Sequence, residues 1–364
     1  MAEKHFVTDS PAPCEEGAPQ VLCVGQSVVD CITKNSRESS GRKVADSITL
    51  NVGGDAVNES IALTGMGHCA ALMCCVGSDH AGKIILDEVK RHGVNTDHVT
   101  VSQDLVTPVA NIFVREDGSR YSVSSRASLV PGYVPDLAAA LKSLGTASSG
   151  AGIESGPEAG QDAAGGNGVK IVSFASLFRA PLDDPAVIRK LIREAHESGV
   201  IVCADTKLPT FRRTELSEIA DVLPFIDYFF PNEEEALYYT DMDEPRDAVT
   251  ELLSMGVKGV IVKCGAKGIV AGLGWENPAV GCGEAFCATC LASSCSIRDS
   301  EKIRGGEMFA LPAIPVEAVD TTGAGDHLVA GFIKGLLKGL DFRGCCQMGL
   351  AAAARCIVHT GGNR

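Results

Sequence analysis

From Lys170 onward the chain alternates short apolar runs with amphipathic ones, and this alternation constrains the fold more than any other feature. "KIVSFAS", "VIVCADT", "YFFPN" and "VKGVIVKCG" read as buried strands. Between them, "PAVIRKLIREAHESG", the segment around "LSEIADVL", "EEEALYY" and "PRDAVTELLSMG" carry apolar residues at helical spacing. Regular strand–helix alternation builds a parallel sheet covered by helices on both faces, with ligands gathering at the carboxyl ends of the strands.

The first half is less regular. "VLCVGQSVVDCI" reads as a buried strand running into a turn, "AALMCCVGSD" as another strand and "AGKIILDEVKRHGV" as a helix. "KVADSITLNVGGDAVNESIALTGMG" alternates like a half-exposed strand before Gly53-Gly54 and is helical after them. "VANIFVREDGSRYSV" reads as a hairpin turning at Asp117-Gly118. Hairpin strands among strand–helix units predict a small second sheet projecting from the larger one, formed by strands at about 43–52 and 109–124.

The formal net charge of -14, without a long Lys/Arg run, argues against nucleic acid as a partner. No run is long and apolar enough for a membrane span, and residues 1–19 read as a tail without the apolar middle of a signal peptide, so the expectation is a soluble, cytoplasmic protein. Of the 15 cysteines, Cys23, Cys31, Cys74, Cys75, Cys203 and Cys264 fall in or beside apolar runs, as reduced small hydrophobes do. Cys282, Cys287, Cys290 and Cys295 crowd into an insert at 275–306 and include a C-x-x-C, but the flanking spacings match no zinc pattern. A Gly/Ala/Ser-rich low-complexity insert at 145–168 reads as a surface loop.

The chemistry is concentrated in "VDTTGAGDHLVAGFI". "IPVEAV" before it reads as a short buried strand and "HLVAGFIKGLLKGL" after it as a helix, which puts Gly323, Ala324, Gly325 and Asp326 at a strand-to-helix junction. Helix-start N–H groups and glycines that admit close approach suit a phosphate. A carboxylate there is electrostatically misplaced unless it caps the helix or takes a proton from the group that attacks the phosphate.

With "GGDAVN", "PNEEE", "VKCGAKG" and "DTTGAGD" in this order, the chain resembles the ribokinase-like (PfkB) family of carbohydrate kinases from about Val21 to Gly362. The resemblance implies an α/β kinase domain over residues 20–364, its mostly parallel sheet flanked by helices and topped by a β lid over the sugar site. It implies Asp326 as catalytic base and Gly323, Ala324 and Gly325 as anion hole. Asp30, Gly53, Gly54 and Asn58 would bind the acceptor, while Asn232, Glu235, Lys263, Gly265 and Gly268 would bind ATP. Glu235 would help place Mg2+ through water, and Asp320 and Thr322 would surround a monovalent cation such as K+. A homodimer through the lid would also fit the family.

Two positions depart from the family pattern. His327 follows the base where a small residue or Thr is usual, and "DTKLPTFR" places Lys207 where many sugar kinases have Asp-x-Asn-x-Arg. The leading expectation is ATP-dependent phosphorylation of a hydroxyl on a small sugar or sugar acid. A nucleoside kinase of the adenosine type and a catalytically inactive binding or regulatory member are the alternatives; aromatic content of 5% leaves little to sandwich a purine.

Overall fold

The uninterrupted apolar runs Val21–Gly25 (β1), Ala70–Gly77 (β6) and Ile171–Leu177 (β10) are buried along their whole length, as strands covered on both faces must be. In the computed structural model, which describes residues 17–39, 42–116, 119–124, 133–146, 168–209, 214–274 and 306–358, these strands lie side by side in the interior of a nine-stranded sheet. β1 pairs in parallel with both β10 and β6, and β6 with Asn95–Ser102 (β7). On the other side β10 is followed by Ile201–Thr206 (β11), Tyr228–Phe229 (β12) and Gly259–Lys263 (β13), all parallel. Ile269–Leu273 (β14) and Glu307–Leu311 (β15) close that edge antiparallel.

Helices cover both faces, giving two apolar cores. Asp55–Gly65 (α1), His80–Arg91 (α2), Ala324–Leu337 (α7) and Phe342–Ile357 (α8) contribute to one. Leu137–Leu144 (α3), Pro185–Glu197 (α4), Glu233–Thr240 (α5) and Pro245–Ser254 (α6) contribute to the other. Cys23, Cys74, Cys75, Cys203 and Cys264 are buried free thiols, and Cys31 is a half-buried one.

The lid is a separate four-stranded sheet, ordered Ser47–Gly53 (β5), Val28–Lys34 (β2), Val109–Val114 (β8) and Arg120–Ser124 (β9). "VLCVGQSVVDCI" is thus two strands rather than one strand and a turn. Gln26 and Ser27 lead from the main sheet into the centre of the lid, so Asp30 lies on β2. Arg37–Ser39 (β3) and Arg42–Val44 (β4) pair with each other, and the expected strand from Lys43 begins as β5 at Ser47.

Two further expectations are corrected. "IPVEAV" forms no strand. It is an exposed segment without regular structure; Pro315 within it and Pro312 just before it lack the N–H groups a ladder needs, and β15 takes the edge position. "LSEIADVL" forms short 3-10 turns at Leu216–Ile219 and Leu223–Phe225 rather than a helix, with Pro224 in the second. β14, β15, β7, α3 and α8 were not singled out from the sequence. The Asp117-Gly118 turn, residues 275–305 of the cysteine-bearing insert and the interior of the low-complexity insert lie outside the described residues. Where the chain leaves and re-enters that insert, Thr146 pairs with Val169, and Val169 N–H donates to the Gly145 carbonyl at 2.8 Å.

Candidate active site

Gly323 caps α7 in the left-handed conformation, φ 76°, and Asp326 follows in the first turn. Its carboxylate does not cap the helix. It is buried, 5% exposed, and Oδ2 accepts a hydrogen bond from Asn58 Nδ2 at 2.6 Å. Asn58 is buried on α1, which packs against α7. That contact joins the "GGDAVN" and "DTTGAGD" motifs across 268 residues of sequence. Burial first and the Asp55 charge second raise the Asp326 carboxyl to about 8, against the pull of Lys207 and Asn58.

The glycine turn before α1 is built on close approach. Gly54 has φ 101°, and a Cβ there would collide with the Gln26 carbonyl, while a Cβ at Gly53 would collide with the Asp30 carboxylate. Asp30 therefore lies directly over the turn, where burial and the nearby Asp55 raise it to about 6. Asp30, Gly53, Gly54 and Asn58 thus lie together between the lid and the end of α7.

The strand ends of the main sheet supply the opposite wall. Asn232 caps α5 reciprocally with Glu235: Asn232 Oδ1 accepts from Glu235 N–H and Glu235 Oε2 from Asn232 N–H, each at 2.8 Å. Both residues thus serve the start of α5. Glu235 is nevertheless buried, and burial together with Asp205 raises it to about 7. Lys263, at the end of β13, reaches Asp205 with Nζ to Oδ2 at 2.5 Å. The same ammonium lies 3.5 Å from where a Cβ on Gly325 would stand, against the first turn of α7. Gly265, φ 56°, and Gly268, φ 97°, form the turn into β14, and only a glycine leaves room at position 268 for the Leu311 carbonyl. Asp320 Oδ1 accepts from Thr322 N–H at 2.9 Å, and the Thr322 carbonyl accepts from the Cys356 thiol.

Sequence reading missed part of this cluster. Carboxylate oxygens of Asp55, Asp205 and Asp326 lie within 4.8 Å of one another. Asp55 pairs with Lys207, Nζ to Oδ2 at 3.0 Å, and also accepts from the Ser176 hydroxyl. Although burial pulls Lys207 down, Asp55, Asp205, Asp326 and Glu235 hold its ammonium well above the ordinary lysine range. Beneath them Glu59, fully buried, accepts from the Ser173 hydroxyl at 2.6 Å, and burial pushes its carboxyl well above the usual range. Asp55 stands in "GGDAVN" and Asp205 in "DTK"; the signal that marks them is their place, one directly after a glycine turn and the other near the carboxyl end of a strand. His327 is half-buried, and its ring Nδ1 donates to the Gly323 carbonyl at 3.0 Å, while burial lowers its basicity. It buttresses the turn instead of facing solvent.

The fold and this convergence of motifs define a class. The model of pfkB family carbohydrate kinases matches residues 18–142 and 167–364, and the chain belongs to that family. An uncharacterized sugar kinase of Archaeoglobus fulgidus is 28% identical over 301 residues, spanning 83% of this chain and 96% of the relative. A cytidine kinase of Thermococcus kodakarensis is 28% identical over 156 residues, 42% of this chain and 46% of its own. Arabidopsis thaliana ribokinase, solved with ribose and ATP, superposes with a TM-score of 0.69 at 20% identity, covering 95% of this chain and 94% of that one. The fold is ribokinase-like, and the protein is an ATP-dependent kinase of the pfkB carbohydrate kinase family. Among the described residues no helix is long and apolar enough to cross a membrane.

Proposed function

We propose that the protein transfers the terminal phosphoryl group of ATP to a hydroxyl of a small sugar or sugar acid, with Asp326 receiving the hydroxyl proton. The observation that carries this reading is a buried carboxylate that sits in the first turn of α7, is bonded to Asn58 and does not cap the helix. A carboxyl raised to about 8 is a stronger base than an ordinary aspartate and is matched to neutral pH. The turn Gly323–Gly325, with the helix dipole and Lys263 beside it, stabilises charge on the phosphoryl oxygens, so one helix end supplies the anion cradle and orients the nucleophile.

Asp30, Gly53, Gly54 and Asn58 hold the acceptor, and Asn232, Glu235, Lys263, Gly265 and Gly268 face the nucleotide. The carboxylates of Asp205 and Glu235 are hard oxygen donors that would suit a hydrated Mg2+, Glu235 through water, and the ion would supply positive charge against the phosphates. The oxygens of Asp320 and Thr322 suit a monovalent cation, a role that a K+ dependence of turnover would support. A homodimer through the lid would cover the exposed Ile48, Leu50, Tyr121 and Val123. A nucleoside acceptor is the second reading, favoured by the cytidine kinase relative.

The test is ATP consumption with Mg2+ over a panel of pentoses, hexoses, sugar acids and nucleosides. Turnover with a sugar or sugar acid is expected. Turnover with nucleosides alone would select the second reading, and none with any acceptor would overturn both.

A further inference from the structure

Asp55 has no part in the transfer described above beyond the charge with which it helps raise Asp326, yet the fold holds it firmly in place. It follows the glycine turn at the start of α1, and Lys207 and the Ser176 hydroxyl converge on the same oxygen, Oδ2. Ser176 is a non-glycine residue at φ 73°, at an irregularity in the pairing of β10 with β11. Such a backbone persists only where its surroundings fix it. Asp30 lies on the lid side of the turn and feels the charge of Asp55. An acceptor whose hydroxyl reaches Asp326 must therefore pass its body along Asp30 and Asp55. Among the described residues the ammonium groups of the cluster are already committed, Lys207 to Asp55 and Lys263 to Asp205. Arg179, further out, turns Nε to the Leu208 carbonyl at 2.9 Å.

We infer that the acceptor is an uncharged polyhydroxyl compound and that the Asp55–Lys207 pair excludes acceptors bearing a carboxylate or phosphate beside the reacting hydroxyl. The inference rests on the kinase reading and narrows it. Ionised carboxylates only accept hydrogen bonds, so Asp30 and Asp55 select hydroxyl donors. An anionic group would meet two like charges, and the lysine that would attract it is neutralised by its partner. Specificity is thus set by a repulsive element as much as by new contacts. Removing Asp55 should release Lys207 toward the acceptor.

The experiment compares kcat/KM, with saturating ATP and Mg2+, for matched pairs: an aldose and its aldonic or uronic acid, and a sugar and its phosphate ester. The wild type is expected to prefer the neutral member by about a hundredfold or more. Asp55→Asn should shrink that preference at least about tenfold, mainly by gaining activity on the acid. Adding Lys207→Met to Asp55→Asn should remove the gain, which a merely structural role for Asp55 would not do. Preference of the wild type for the charged member, or equal loss on both members in Asp55→Asn, would overturn the inference. If Asp55→Asn does not fold, Ser176→Ala supplies the test: a smaller shift in the same direction supports the proposal, and an unchanged ratio overturns it. The kinase reading fails separately, through absence of ATP consumption with every acceptor. Calorimetric binding of the paired compounds would then still rank neutral against charged, and tighter binding of the charged member would overturn the inference.

Discussion

Asp326→Asn should nearly abolish turnover and at the same time stabilise the protein in alkaline solution. Asparagine keeps the shape and can still accept from Asn58 Nδ2, so the contact at 2.6 Å has a neutral equivalent. It cannot take a proton. Loss of a general base lowers kcat by about 10²–10⁴, or roughly 3–5 kcal/mol of barrier. The stability effect has the opposite sign. In the folded protein the carboxyl is raised from 3.8 to about 8, so the native state binds a proton that the unfolded chain releases above about pH 4. The stabilisation from that proton is fully present below the unfolded value and is lost as pH rises through about 8. At about 1.4 kcal/mol per pH unit, the ionised carboxylate costs on the order of 5 kcal/mol above pH 8. Lys207 loses an anionic neighbour in the variant, which leaves a net gain of a few kcal/mol. Thermal melts of both proteins from pH 4 to 9, with single-turnover assays, make the comparison. The Tm advantage of the variant should open between about pH 4 and pH 8 and then level off, while ATP affinity stays near normal. A variant that keeps more than about a tenth of wild-type kcat would refute the base assignment. A Tm difference flat across pH would refute the electrostatic account of Asp326.

Other outcomes follow from particular contacts. Replacing residues 147–167 by a short Gly/Ser bridge should leave Tm and kcat nearly unchanged, because Gly145 and Val169 already meet across the gap; loss of folded protein would count against this. Gly54→Ala should cost at least about 2 kcal/mol, since it combines φ 101° with a collision at the Gln26 carbonyl, and urea unfolding reads that directly. The true acceptor, more than ATP alone, should slow amide exchange in β5, β8 and β9 as the lid closes and water is excluded. Full protection by ATP alone, or none with a verified substrate, would break the lid reading.

The periodicity of the chain was enough to determine the parallel sheet with helices on both faces, because strands buried on both sides must be apolar throughout and their crossovers must be amphipathic. It also marked the helix-start turn at Gly323–Asp326, since glycine and helix-terminus chemistry are local. Edges were not legible. β14 and β15 are short and β15 is half-exposed, so neither has a pattern distinct from loop, and the apolar "IPVEAV" looked more strand-like than the edge strand beside it. Nor was the division of "VLCVGQSVVDCI" visible, since both halves are apolar and the change of sheet happens at two polar residues. Only the tertiary structure decided which charges meet: Asn58 with Asp326, Lys207 with Asp55, and Lys263 with Asp205. The Lys263–Asp205 pair joins residues 58 apart, and the Asn58–Asp326 contact residues 268 apart. A single carboxylate in sequence carries no record of its burial or its partners, and those two quantities set whether it titrates near 4 as a solvated side chain or near 8 as a base.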